Sequence, residues 1–183
     1  MGEITSSELT VRGTEQALPN TLSHRYGAGM FPHHTDYAFR PHPPRAIILV
    51  NKTSEAFTRP TYFTRLEDIG EPYTGTLRNS FWTLQLKEGH FIVGGVFSAG
   101  SKQGYRWDQD FLSPENSDAW RCRKEVPDAL VSHQRKHEWL PQTALLIDNW
   151  RCTHSRGALP EGDDAGQRSL QRYEVWQHAG LDE

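Results

Sequence analysis

Short β-type segments recur along this chain, and only one stretch has a helical pattern. Each segment is rich in aliphatic, β-branched or aromatic residues, and stretches containing Gly or Pro separate them. The six clearest segments are 46–50, 60–64, 80–86, 90–97, 144–148 and 169–176. A parallel α/β fold would need a helix between successive strands, and this pattern does not provide them. The sequence therefore predicts a mainly β fold, as an antiparallel barrel or jelly roll.

The one helical stretch lies inside a longer insertion. Ser113 is the predicted N-cap, with Pro114 in the first turn and Pro127 as a candidate break. We expect residues 98–142 to form an insertion between barrel strands. Residues 1–23 are polar and weakly periodic, so we expect a loose N-terminal arm or one short helix there.

Length and charge set limits on the class of protein. The 183 residues suit a single domain over 1–183, and 20 basic against 23 acidic residues argue against a nucleic-acid binder. No apolar run reaches the about 18 residues of a membrane span, and the N-terminus lacks a signal-peptide pattern. We therefore expect a cytoplasmic protein. Two cysteines, Cys122 and Cys152, exclude a disulfide scaffold and a four-cysteine zinc module.

A histidine and a carboxylate at the right spacing indicate a metal site. The chain has nine histidines, and His34 lies two residues before Asp36, so the two side chains share a face in an extended segment. A third ligand must come from elsewhere, and His154 follows the buried-strand pattern of 144–148. Two histidines and one carboxylate form the facial triad of non-haem Fe(II) oxygenases.

Other residues could replace members of this triad. His33 is three residues from Asp36, so the same-face argument fails for it. Cys152 shares a face with His154 in an extended segment, either as a thiolate ligand or as a small apolar side chain. Five further histidines are predicted to be surface or helix residues: His42, His90, His133, His137 and His178.

Two arginines follow His154 on one predicted strand. Arg168 and Arg172 are four residues apart, so both side chains lie on the same face of that strand. A guanidinium forms two parallel hydrogen bonds with a carboxylate, which a lysine cannot do. Either arginine is therefore a candidate to bind an anionic co-substrate.

From about residue 31 to residue 176, the chain resembles the Fe(II)/2-oxoglutarate-dependent oxygenases of the taurine-dioxygenase and clavaminate-synthase-like superfamily. Four blocks, in the family's order, carry the resemblance. They are Pro-His-His-Thr-Asp-Tyr-Ala-Phe at 32–39, Arg-Pro-Thr-Tyr-Phe at 59–63, Tyr-Arg-Trp-Asp at 105–108 and Leu-Ile-Asp-Asn-Trp-Arg-Cys-Thr-His-Ser-Arg at 146–156. The resemblance implies a double-stranded β-helix (jelly roll) barrel with a helical insertion.

The resemblance also assigns roles to residues. It implies that His34, Asp36 and His154 ligate Fe(II), with 2-oxoglutarate and O2 as co-substrates and succinate and CO2 as products. Arg168 would bind the distal carboxylate of 2-oxoglutarate, assisted by Thr61. Arg172 would support Arg168, replace it in that role, or face an anionic group of the substrate.

The implied substrate is a small polar molecule, amino-acid-like or a natural-product intermediate, which the enzyme hydroxylates or otherwise oxidises. Tyr37 and Phe39 flank the metal block and line the substrate pocket or pack in the core. Arg106 and Asp108 contact substrate or form a structural ion pair. With little chain before His34, we expect an open pocket, closed by the 98–142 insertion or by a second subunit of a homo-oligomer.

Two other classes remain open from the sequence. A zinc hydrolase could use the same His/Asp/His ligands with a zinc-bound water, but would need a general base and no arginine for 2-oxoglutarate. A non-catalytic cupin-like binding module would have lost the metal, and the intact triad argues against that.

Overall fold

A computed structural model describes residues 2–10, 14–19, 21–86, 89–159 and 169–177. Thirteen strands and three α-helices lie in these ranges. The strands, in chain order, are β1 (Glu3–Thr10), β2 (Phe31–His34), β3 (Ala46–Val50), β4 (Phe57–Arg65), β5 (Phe81–Leu86), β6 (Gly89–Gly94), β7 (Val96–Ala99), β8 (Lys102–Tyr105), β9 (Ser113–Pro114), β10 (Arg135–Trp139), β11 (Ala144–Asp148), β12 (Cys152–Arg156) and β13 (Ser169–Trp176). The helices are α1 (Leu22–Tyr26), α2 (Tyr73–Asn79) and α3 (Ser117–Ser132), and two short 3₁₀ helices cover Thr14–Gln16 and Leu66–Ile69.

Two four-stranded antiparallel sheets contain most of the strands. The first sheet has the order β1-β13-β3-β11, and the second sheet has the order β10-β4-β12-β2. A buried cluster joins them, in which Ile47, Ile147 and Leu170 of the first sheet pack with Trp139 of the second. The mainly β class predicted from the sequence is therefore confirmed.

A second core lies beside the two sheets. It packs α2 and α3 against a smaller sheet of order β6-β5-β9, and Trp82, Trp107 and Leu130 are almost completely buried in it. The helix of the insertion begins later than predicted, because Asn116 is the N-cap and accepts a hydrogen bond from the amide of Ala119 at 3.0 Å. Pro114 instead lies in β9, where it pairs with Trp82 of β5. The helix α3 continues through Pro127.

The predicted strand over 90–97 is divided at Gly95 into β6 and β7. The Gly95 amide donates to the carbonyl of Ser80, and a Cβ at position 95 would lie 2.3 Å from the carbonyl oxygen of Leu77. Only glycine allows so close an approach of two backbones.

Part of the segment expected to be a loose arm or a short helix is instead a strand. β1 pairs with β13 along its full length, from Glu3 opposite Trp176 to Thr10 opposite Ser169. Its inward-facing residues include Thr5 and Ser7, whose hydroxyls bond to a side chain of β13. Hydrophobic periodicity does not detect such a strand, because it is held by backbone pairing and polar contacts.

Among the helices in the described ranges, none combines the length and the apolar character needed to cross a membrane.

Candidate metal centre

Strand register brings the two predicted histidine ligands together. His34, the last residue of β2, lies directly opposite His154 on β12, and their ring centroids are 4.4 Å apart. Asp36 follows two residues later, with Oδ1 3.4 Å from His34 Nε2 and 3.7 Å from His154 Nε2. One potential ligand atom from each residue lies within 4.8 Å of the others. The structure thus assembles the triad that the sequence predicts.

A fully buried asparagine fixes the backbone of Asp36. Asn149 accepts a hydrogen bond from the Asp36 amide at 3.0 Å, and its Nδ2 donates to the carbonyls of Asp36 and Pro44, each at 3.0 Å. The chain then turns at Tyr37, whose φ of 59° lies in the left-handed region. This conformation costs about 1–2 kcal/mol for a non-glycine residue, so surrounding contacts must hold the turn in place.

Burial and neighbouring charge affect the protonation of the two histidines in opposite directions. His34 Nδ1 lies 2.9 Å from the carbonyl of Pro32, which leaves its Nε2 directed at Asp36. Burial lowers the pKa of His154 to about 3, so this imidazole is neutral near neutral pH. Burial also opposes protonation of His34, but Asp36 outweighs it and raises the pKa of His34. Burial alone would raise the pKa of Asp36, whereas His154, His34 and Arg172 lower it well below its usual range.

These groups suit a divalent transition metal. Two imidazoles and one carboxylate converge from one side, which is the donor set of the facial triad. His154 Nδ1 is buried with no hydrogen-bond partner, so hydrogen bonding within the protein does not account for the placement of this ring. A metal bound at Nε2 would explain why such a polar group is buried here.

The triad faces a cavity of about 580 Å³. Residues 17, 18 and 21–23 and strands β1, β2, β3, β4, β12 and β13 contribute to its wall. The wall combines apolar side chains with a few polar ones; its members include Leu9, Leu22, Phe31, Tyr37, Phe39, Thr61, Asp108, Phe111 and Arg172. Mostly apolar walls with a few convergent polar groups are typical of small-molecule sites.

Arg172 lies beside the triad and between two carboxylates. Its Nε donates to Glu174 Oε1 at 2.8 Å, and its NH1 is 3.4 Å from Asp36 Oδ2. Its NH2 is 3.4 Å from the hydroxyl oxygen of Tyr37, which itself donates to Glu174 at 3.2 Å. This arginine is therefore next to the metal centre as well as on the cavity wall.

The other predicted site residues fall into three groups. Thr61, Phe39 and Asp108 line the cavity, and Asp108 Oδ1 accepts from the amides of Asp110 and Phe111. Arg106 is not part of the cavity wall. Its NH1 and NH2 donate to the carbonyls of residues 38, 40 and 41 and not to Asp108, so the predicted ion pair is absent, and the predicted substrate contact stays a prediction. Arg168 lies outside the described residues.

The alternative ligands point elsewhere. His33 places Nδ1 3.1 Å from Thr153 Oγ1 and Nε2 3.1 Å from Gln134 Oε1, and burial lowers its pKa to about 4. Cys152 packs against the cluster between the two sheets, and burial raises its thiol pKa to about 11. Of the remaining histidines, His178 lies outside the described residues. Within the ranges that the structure covers, His34, Asp36 and His154 form the single group of at least three potential ligands.

Two residues of this centre were not predicted from the sequence. Asn149 lies inside the block at 146–156, but only the fold shows that it holds the Asp36 backbone. Glu174 is 2% exposed, and a carboxylate two residues after Arg172 on one strand face was the available signal. Thr5 and Ser7 of β1, which bond to Glu174, were expected to lie in a loose arm or a short helix.

Comparison of the sequence alone finds no matching family model and no matching curated protein. Comparison of the structure finds solved oxygenases. An asparagine oxygenase in complex with Fe(II), a hydroxyasparagine and succinate matches with a TM-score of 0.71 and 18% identity, over 93% of this chain and 56% of that one. The non-haem iron oxygenase OrfP, in complex with Fe and alpha-ketoglutaric acid, matches with a TM-score of 0.66 and 20% identity, over 93% and 56%.

A third match is PvcB from Pseudomonas aeruginosa, with a TM-score of 0.64 and 13% identity over 97% of this chain and 67% of that one. The chain spans about half the length of the first two oxygenases. It therefore has the fold of these non-haem iron oxygenases.

Proposed function

We propose that this chain is a non-haem Fe(II)- and 2-oxoglutarate-dependent oxygenase that hydroxylates, or otherwise oxidises, a small amino-acid-like molecule. One observation carries the proposal. The nitrogens of His34 and His154 and a carboxylate oxygen of Asp36 converge within 4.8 Å on the wall of a cavity of about 580 Å³. We further propose that the two facing sheets form a double-stranded β-helix, or jelly roll.

In this proposal His34 Nε2, His154 Nε2 and the Asp36 carboxylate hold Fe(II). When bound, the metal with 2-oxoglutarate supplies the activation of O2, coupled to release of succinate and CO2. The chain's own residues keep the His154 imidazole unprotonated, orient the Asp36 carboxylate through Asn149 and keep bulk water away. The low pKa of His154, caused by burial, supports a neutral ligand nitrogen at neutral pH.

We propose that Arg168 binds the distal carboxylate of 2-oxoglutarate and that Thr61 assists it. Thr61 is 3% exposed and lies on the cavity wall. Arg172 is less suited to this role, because Glu174 and Asp36 already face its guanidinium. Two carboxylates beside one cation leave little positive charge for a third.

The proposed substrate is a zwitterion such as an amino acid. Arg172 and Asp108 lie on the same cavity wall. Because Glu174 and Asp36 already neutralise Arg172, the counter-charge available there is the Asp108 carboxylate, which would pair with the ammonium group of such a molecule. Tyr37 and Phe39, whose ring centroids are 5.8 Å apart, supply aromatic surface next to them. The solved oxygenases bind hydroxyasparagine and hydroxyarginine, which agrees with this class of substrate.

The proposal is tested by adding Fe(II) and then 2-oxoglutarate to the protein without oxygen. We expect a visible charge-transfer absorption that needs both components, because 2-oxoglutarate would chelate the metal. A panel of amino acids is then screened with O2 for a product that gains one oxygen atom in step with succinate formation. His90→Gln, at an exposed position of β6, is the matched control and should behave as the wild type does.

Two outcomes would overturn the proposal. Folded protein that binds Fe(II) but consumes O2 without any dependence on 2-oxoglutarate contradicts the mechanism. Tight Zn(II) binding together with no charge-transfer absorption would favour the zinc hydrolase. The cytoplasmic location and the homo-oligomer stay predictions from the sequence.

A further inference from the structure

Glu174 is a buried carboxylate with a complete set of donors. Its side chain points inward from β13 and is not part of the cavity wall. Oε2 accepts from Thr5 Oγ1 at 2.8 Å, and Oε1 accepts from Arg172 Nε at 2.8 Å. Tyr37 and Ser7 add longer hydroxyl contacts to Oε1 at 3.2 and 3.4 Å. A carboxylate so well satisfied is fixed in position.

Arg172 is held more closely by Glu174 than by Asp36. The Nε–Oε1 distance to Glu174 is 2.8 Å, a full charge-assisted hydrogen bond, whereas NH1 stays 3.4 Å from Asp36 Oδ2. The bond at Nε fixes the plane of the guanidinium. The two terminal amino groups therefore face Asp36 and Tyr37 from a distance without closing on either.

A free guanidinium this near a carboxylate would act differently. Arginine and a carboxylate prefer two parallel hydrogen bonds of about 2.7–2.9 Å, which occupy both carboxylate oxygens. If Arg172 closed on Asp36 in this way, it would compete with a metal ion for the same oxygens. If Asp36 is a metal ligand, another group must prevent Arg172 from forming these two hydrogen bonds with it.

We infer that Glu174 is a positioning residue for the metal centre, which restrains Arg172 and so keeps the Asp36 carboxylate free to bind the metal. This inference rests on the proposed function, since it requires a metal at the triad. It gives β1 a part in the site, because Thr5 and Ser7 of that strand hold Glu174.

The test is a double-mutant cycle on metal affinity. Co(II) alone is titrated by calorimetry into the wild type, Glu174→Gln, Arg172→Gln and the double variant. Glutamine keeps the shape of Glu174 but removes the charge that competes with Asp36 for the guanidinium. We expect Glu174→Gln to weaken Co(II) binding about tenfold, the usual order for a residue behind a ligand. The same change in the Arg172→Gln background should have no effect.

The cycle separates restraint of Arg172 from a general loss of negative charge. If the charge alone mattered, Glu174→Gln would weaken Co(II) binding equally in both backgrounds, and the inference would be overturned. Glu125→Gln removes an exposed carboxylate that is also paired with an arginine, Arg121, and serves as the matched control. It should leave Co(II) affinity unchanged.

A crystal structure of metal-free Glu174→Gln protein gives an independent readout, even if Arg172→Gln does not fold. We expect both terminal amino groups of Arg172 to bond to both oxygens of Asp36. An Arg172 side chain that stays in place overturns the inference while leaving the proposed function intact. Failure of the wild-type protein to bind any divalent metal would instead overturn the proposed function, and the inference with it.

Discussion

The two facing sheets contribute different kinds of groups to one cavity. The second sheet supplies His34 and His154, both about 7% exposed and directly opposite in register. The first sheet supplies Arg172 and Glu174, which belong to a network of carboxylates, hydroxyls and a guanidinium. The two histidine ligands thus come from one sheet, Asp36 comes from the turn after β2, and the charges next to them come from the other sheet. Loss of a ligand should therefore abolish metal binding, whereas loss of a neighbouring charge should only weaken it.

The largest effect is expected at the ligands. Asp36→Ala removes the only carboxylate of the triad, and it should weaken Co(II) or Fe(II) binding by more than the about 100-fold that residues behind a ligand contribute. Calorimetric titration measures it, with His90→Gln as the control. Equal affinity in Asp36→Ala and the wild type would mean that the metal, if any, binds elsewhere.

The next effect is expected at the residue that holds Asp36. Asn149→Ala leaves the Asp36 amide and the carbonyls of Asp36 and Pro44 without their partner. Buried unsatisfied groups of this kind should lower the free energy of unfolding by about 3 kcal/mol, measured by urea denaturation. Metal affinity should fall as well. A variant with unchanged stability would contradict the role given to Asn149.

His33 tests the side of the second sheet that faces away from the triad. Its pKa is lowered by burial from 6.5 to about 4, so the unfolded chain binds a proton more readily than the folded one does. The stability that His33 contributes is present above pH 6.5 and is lost as the pH falls towards 4, at up to about 1.4 kcal/mol per pH unit.

Urea denaturation of metal-free protein across this range measures that slope. His33→Gln should show a shallower loss of stability than the wild type. Equal slopes in the two proteins would show that His33 titrates normally in the folded state.

The smallest effect is expected on β1. Thr5→Val removes the 2.8 Å bond to Glu174 and the acceptor for Trp176 Nε1, and it should cost about 1 kcal/mol. Thermal denaturation measures it, with Thr5→Ser, which keeps the hydroxyl, as the matched control. A Thr5→Val protein as stable as Thr5→Ser would show that β1 is held by its backbone pairing alone.

The second sheet was the easier region to predict. His34 and Asp36 share a face by simple alternation, and His154 follows a clear apolar strand, so local pattern and resemblance were enough to choose them. Only their convergence needed the fold, because the register of β2 on β12 depends on contacts more than 100 residues apart.

The first sheet was harder to predict. β1 has serines, threonines and glutamates where an apolar strand would have aliphatic residues, and its partners lie at the other end of the chain. For β1 the sequence analysis missed a contribution to the site, whereas for Arg106 it predicted an ion pair that the structure does not have. Beside Asp108 in sequence, Arg106 suggested a substrate contact or an ion pair, but its guanidinium holds the backbone of the loop after Asp36. Side-chain direction in such loops does not follow a periodic rule.

In the proposed function, His34, Asp36 and His154 together bind one iron ion. Anomalous diffraction at the iron absorption edge, from crystals of the protein loaded anaerobically with Fe(II), tests it most directly. We predict one strong peak within bonding distance, about 2.0–2.2 Å, of both Nε2 atoms and of an Asp36 oxygen. A peak at His33, at Cys152 or on the surface, with none between the three residues, would contradict the account.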